Sequence, residues 1–374
     1  SSRRRHTRYI SVTGVQTCAL PISSGTLKAS SSGITGPPAT GPFGTGSVTV
    51  SATNAVLDLN GQSISNLLTL NGTGLSSAGA IINSNATAAT ASGNITLGSN
   101  TSIGGANAIT LSGIIDDGVN TYAITKVGAG TTTLTGANTY GGNTTINAGT
   151  LALSGSGTLG NNTSTLTISS ATLDIQNGAK TVGALVMNGT SPAITNSTGT
   201  SSLIVSGTST LAGSVTTSST QLYTGNVTLG AATTLTGSTI TTNGTIVGGT
   251  NSLTITGNAV FGDGTTDTVT GLTTLSVSGT TTINTSTVTS TGTQTYSGAV
   301  TLGANTTLTT TSNGNISFGA SISNSSAKNL TLDTGLTSGT ISVTGAVGSG
   351  TALGTLTDRK STRLNSSHTD ISRM

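Results

Sequence analysis

The chain has 374 residues with a formal charge of +3, 6% charged residues, 2% aromatic residues, 54 glycines and no tryptophan. The basic excess sits in two short arms, residues 1–22 and 358–374, which hold every arginine, both histidines and the one cysteine. Between them four lysines (Lys28, Lys126, Lys180, Lys328) face seven aspartates, a net of −3, which excludes a nucleic-acid partner and leaves neither a Ser-His-Asp or Cys-His catalyst nor a zinc ligand set.

The first arm can be read against the last. His6 written as CAT reverses to ATG for Met374, Val12 as GTG to CAC for His368, and Ile22 as ATC to GAT for Asp358. All seventeen pairs between His6–Ile22 and Asp358–Met374 can be written this way, in frame. Folding has no use for antisense complementarity, whereas DNA flanked by an inverted repeat produces it. Residues 12–22 and 358–368 also resemble translated sequencing-library adapter. Residues 1–22 and 358–374 are therefore expected to be adapter-derived, non-native and poorly packed. No start methionine, signal peptide or set of translocator-barrel strands is present, so the chain is expected to be a fragment of a longer protein.

Residues 23–47 carry Pro37, Pro38 and Pro42 among Gly, Ser and Thr and are expected to be an irregular lead-in. From residue 48 to 357 short runs alternate apolar and polar residues. Leu166 and Ile168, Leu173 and Ile175, Leu253 and Ile255, Leu275 and Val277, Leu330 and Leu332, and Ile341 and Val343 each put two apolar side chains on one face of a strand. Asn177-Gly178, Asn188-Gly189 and Asn243-Gly244 mark turns between runs. Pro192 marks a loop rather than a boundary. No window of ten residues carries helical periodicity with a cap, and none approaches the ~18 apolar residues of a membrane helix.

Repetition decides between all-β architectures. Gln221–Thr236 and Gln294–Thr309 are identical at 12 of 16 positions, 73 residues apart, about three or four turns of a solenoid. A sandwich or barrel fills a wide core with aromatic rings, and residues 23–357 hold seven: Phe43, Tyr122, Tyr140, Tyr223, Phe261, Tyr296 and Phe318. Residues 48–357 are thus expected to form one right-handed parallel β-helix, a β-solenoid, with two or three aliphatic side chains filling each coil. Leu134, Ile146 and Leu151 should point inward with the pairs above.

Residues 124–153 carry Lys126, Gly128, Gly130 and Thr131, then Leu134, Gly136, Asn138, Thr139 and Tyr140, then Thr144, Thr145, Ile146, Asn147, Gly149, Thr150 and Leu151. This segment resembles the autotransporter-associated β-strand repeat of secreted bacterial passenger domains. Thr132 stands where that repeat has an apolar residue, and Gly141-Gly142-Asn143 permutes its Thr-Gly-Gly. The flanking residues share the style, which also resembles filamentous-haemagglutinin-like adhesins. Read physically, Asn138 and Asn147 are expected to stack with equivalents on neighbouring coils, and Tyr140 to cap a corner, partly buried.

Few groups remain for chemistry. Asp116 with Asp117, and Asp263 with Asp267, are the conceivable carboxylate pairs of a β-helix polysaccharide-active enzyme. A lyase of that kind needs a basic residue beside its acids, and residues 23–357 hold no arginine. Asp116-Asp117-Gly118 reads as a solvated turn, and all four aspartates as exposed turn positions. Gly262-Asp263-Gly264 resembles a calcium repeat but occurs once, so it reads as a plain turn. The many Thr-Xaa-Thr pairs raise ice binding, yet Thr is spread over corners and strands alike.

No catalytic, cofactor-binding or metal residue is therefore assigned, and no cofactor. The resemblance implies a segment of a secreted or surface-displayed bacterial autotransporter or adhesin, located outside the cell. It would serve as a rigid stalk or binding surface, with an outer-membrane translocator barrel in the full-length protein. Its partners would be host or surface glycans or proteins, or further copies of itself. The alternatives are a polysaccharide-active β-helix enzyme and an extracellular matrix or ice-binding repeat protein.

Overall fold

A computed structural model describes residues 20–30, 41–335, 338–348 and 350–359. The fold is a parallel β-solenoid built mostly of short strands, with longer runs at Val227–Thr242 and Ile246–Phe261. Among the described residues the one helical turn is a 3-10 turn at Leu75–Ser77, and no helix is long and apolar enough to cross a membrane. Two compact units divide the chain. One runs to Gly183 and takes in Pro192–Thr200; the other comprises Ala184–Ser191 and continues from Ser201.

In the first unit each strand lies parallel to the one a coil later, so equivalent side chains stack. Ile109, Thr132, Leu151, Leu173 and Ile194 form one inward column. Leu111, Leu134, Leu153 and Ile175 form a second. Ile103, Lys126, Ile146 and Ile168 form a third. The aliphatic members of all three are almost fully buried, each contributing about 1.5–3 kcal/mol. Backbone N–H and C=O groups are spent between coils, which is why three-residue strands suffice.

The second unit repeats the plan. Val215, Leu235, Ile255, Val277, Tyr296 and Phe318 stack in one column. Val205, Tyr223, Thr242, Phe261, Ile283 and Leu302 stack in another. Tyr296 and Phe318 lie ring on ring, centroids 5.3 Å apart and 12° from parallel, a geometry that adds to their burial.

Two local devices close the coils. Asn lends its side-chain carbonyl to an N–H one coil on, at a strand entry for Asn143 to Thr165 at 3.0 Å and Asn226 to Thr245 at 3.1 Å, and within a long strand for Asn258 to Thr280 at 2.9 Å. Glycines stack where corners touch. A Cβ on Gly113 would run into the Gly93 carbonyl oxygen, and one on Gly136 into that of Gly113.

The stack begins ahead of Val48. Leu20–Ile22 pairs in parallel with Val48–Val50, and Gly25–Lys28 with Ala55–Asp58. Ile22 and Leu27 are buried. The stretch read as an irregular lead-in thus contributes a strand, and the inner end of the first arm packs where poor packing was expected. One correctly phased apolar side chain and a free strand edge are enough to recruit it. At the other end Leu356–Asp358 pairs with Leu330–Asp333. Residues 1–19 and 360–374, the bulk of both arms, lie outside the described residues, as do Pro37 and Pro38.

Candidate functional site

Buried charge marks where chemistry would be found, and here it is consumed by structure. Lys126 enters its aliphatic column between Ile103 and Ile146, then turns its ammonium onto three carbonyl oxygens: Val127 at 2.9 Å, Gly128 at 2.8 Å and Ala148 at 3.1 Å. Burial lowers its pKa from 10.5 to about 8. All three donors are used to tie a corner to the next coil, so the amine has no direction left for a substrate.

Asp117 departs from the solvated turn expected of it. Its side chain is buried, and Oδ2 accepts the N–H of Tyr122 at 2.7 Å and of Gly141 at 3.0 Å, the latter a coil away. A carboxylate in a tight corner satisfies two backbone donors at once, which explains its burial. Asp116 is half-buried and accepts the Gly118 N–H at 3.2 Å. Asp263 is exposed. The Asp267 carboxylate closes its own loop, taking the N–H groups of Asp263 at 3.3 Å and Gly264 at 3.2 Å. Neither pair converges on a space between two free carboxylates. Among the described residues no three of His, Cys, Asp or Glu are grouped to hold a metal ion.

Two further aspartates escaped the sequence reading. Asp58 takes the Ser84 N–H at 3.0 Å and the Ser84 hydroxyl at 2.6 Å. Asp174 takes the Ser197 N–H at 3.0 Å and the Ser197 hydroxyl at 2.6 Å. Both are buried. For Asp174 burial raises the pKa, but hydrogen bonds from Ser197, Gln176 and Thr195 outweigh it and the net shift is downward. Lys28 also lies 3.7 Å from Asp58. The signal was present: Leu57-Asp58-Leu59-Asn60 and Leu173-Asp174-Ile175-Gln176 share a pattern, as do Asn83-Ser84 and Asn196-Ser197 one coil on.

Inside the second unit the duplicated segment encodes a polar clamp. Gln221 donates to the Val215 and Thr236 carbonyls at 3.0 and 2.8 Å, and the Tyr223 hydroxyl donates to Gln221 Oε1 at 2.9 Å. Gln294 repeats this with Val288 and Thr309 at 3.2 and 2.9 Å, and Tyr296 with Gln294 at 3.0 Å. All four side chains are buried. Burial pushes the Tyr140, Tyr223 and Tyr296 hydroxyls well above the usual phenol range. Tyr140 is fully buried rather than a partly buried cap, and pairs with Thr144 Oγ1 at 2.7 Å. Asn138 does not stack on another amide. It accepts the Ile115 N–H at 2.9 Å and donates to the Thr158 carbonyl at 2.9 Å, clipping three coils through their backbones. Asn147 is exposed.

Outward positions are the chain's free chemistry, and hydroxyls hold them. In the second unit Ser214, Thr234, Thr254, Ser276, Thr295, Ser317 and Ser342 occupy one outward column across successive coils. In the first, Thr125, Thr145 and Thr167 are register partners on an outward face, and the column ends on Ser102, which is buried.

Residues 124–153 match the model of a family described as the passenger-associated-transport-repeat. The matched segment spans the Lys126 corner, the Asn138 clip and Tyr140. No curated protein and no solved structure matches the chain.

Proposed function

The transport-repeat match and the parallel β-solenoid together support an autotransporter passenger domain, and on that premise we propose a structural, adhesive segment displayed on a bacterial surface. The repeat family implies export and, in the full-length protein, association with an outer-membrane translocator. In this reading the coils present outward hydroxyl columns to host or surface glycans or proteins, or hold a distal binding region away from the cell.

One observation carries the proposal: columns running through the matched segment continue beyond it, Leu151 onto Leu173 and Ile194, and Ile146 onto Ile168. The matched repeat is therefore one stretch of a longer stack and not an isolated motif. An enzymatic role draws no support from the aspartates, since Asp117 and Asp267 are committed to backbone donors. The arms remain proposed as adapter-derived on their antisense relation.

Fusing the chain ahead of a translocator barrel in a Gram-negative host tests display. Antibody labelling of whole cells, lost on external protease treatment, is expected. Retention of the folded chain in the periplasm would contradict the passenger reading, and turnover of a polysaccharide would revive the enzyme.

A further inference from the structure

The threonines that look scattered in the sequence are sorted by the fold. Thr234, Thr254 and Ser276 lie in register on three successive coils of the second unit. Two residues further on stand Thr236 and Thr256, paired directly, and Ser278, just past the end of its strand, whose N–H bonds the Ile255 carbonyl and whose hydroxyl accepts the Gly257 N–H at 3.0 Å. The result is a two-column grid of hydroxyls on an outward face. Its rows repeat every ~4.8 Å between coils and its columns stand about 6.7 Å apart along the strand.

What the face lacks is equally informative. The strands Val227–Thr242, Ile246–Phe261 and Thr268–Val277 contain no charged residue, so the face offers nothing to an ionic ligand. The rings of this unit, Tyr223, Phe261, Tyr296 and Phe318, are buried, so any ligand of this face meets hydroxyls and methyls alone. Register runs unbroken from Thr233–Thr236 onto Leu253–Thr256, the irregularities lying outside that stretch. An uncharged, ring-free lattice of hydroxyls and methyls suits a ligand that is itself a lattice. The ~4.8 Å row spacing lies near the shortest oxygen repeat of hexagonal ice.

We propose that this face of the second unit binds ice, its hydroxyls anchoring ordered water that the Thr methyls confine. The face exists whether or not the chain is exported, so this inference and the passenger reading fail separately.

Thermal hysteresis and the shape of growing ice crystals test it on the whole chain. The wild-type protein is expected to separate melting from freezing and to facet crystals. Thr254→Lys, with unchanged circular dichroism, is expected to abolish both. Thr282→Lys, an outward position in a different column, adds the same charge and is expected to leave both intact. Should Thr254→Lys fail to fold, Thr234→Lys, at an exposed site, takes its place. No hysteresis in the wild-type protein, or equal loss in the Thr254 and Thr282 variants, would overturn the proposal.

Discussion

Lys126 shows how far a side chain can be from its sequence appearance. On sequence it is one of four isolated lysines between the arms; in the fold it is a link in an isoleucine column, its ammonium caged by carbonyls. Its pKa falls from 10.5 to about 8 through burial. Between those values the unfolded chain holds a proton that the folded chain has released, so the Lys126 contribution to stability rises with pH across that window. The cost of burying the charge is fully present below pH ~8. Lys126→Met is expected to flatten that rise, read as urea-unfolding free energy of variant and wild type from pH 7 to 10.5; parallel curves would contradict it. Asp117 makes the complementary case. Losing its two backbone partners in Asp117→Ala should cost about 1–3 kcal/mol, while Asp116→Ala should cost about 0.5 kcal/mol. Equal effects in denaturant melts would return Asp117 to the solvated turn.

At the scale of elements the apolar phase was legible and the polar links were not. Leu134, Ile146, Leu151, Leu166, Ile168, Leu173, Ile175, Leu253, Ile255, Leu275 and Val277 all point inward and are buried, because two-residue alternation is a local property of a strand. The Asp58–Ser84 and Asp174–Ser197 links depend on which coil follows and on corners of unequal length. Thr144 meets Leu166, but Thr131 meets Thr150, so no fixed period in the sequence brings the partners together. The Gln-Tyr clamp was visible only as part of a repeat, since two polar residues two apart read as an outward face until the column reveals them inside. The clamp should act as a unit: Tyr296→Phe is expected to cost about 1 kcal/mol. Gln294→Met combined with Tyr296→Phe should cost less than the two single changes together, a coupling of at least about 0.5 kcal/mol. Additive melts would show that the hydroxyl and the amide act separately.

At the largest scale the organising fact is that, within each unit, the described coils stack on their neighbours through parallel strand pairs. Stability of such a stack is a sum of coil and neighbour terms. Ile168→Asp, placing a charge in the column above Ile146, is expected to cost several kcal/mol. In hydrogen exchange it should strip protection from the coils around residues 144–175 while Ala55–Asp58 and Leu68–Gly72 stay protected. Loss of protection throughout the first unit would point to one cooperative core.

Strands one coil apart run parallel, with Thr145 opposite Thr167. Paired cysteines test that register most directly, in a background carrying Cys18→Ser. Thr145 and Thr167 are register partners whose side chains share a face, at the ~4.8 Å strand spacing, within the 4.4–6.8 Å Cα separation that a disulfide spans. Thr145→Cys with Thr167→Cys is therefore expected to close a disulfide on mild oxidation of the folded protein, seen as loss of two free thiols. Thr145→Cys with Ser169→Cys, two residues out of register, should stay reduced. Closure of the second pair in preference to the first, or of neither, would contradict the stacked-coil structure from which every inward column, clamp and outward ladder follows.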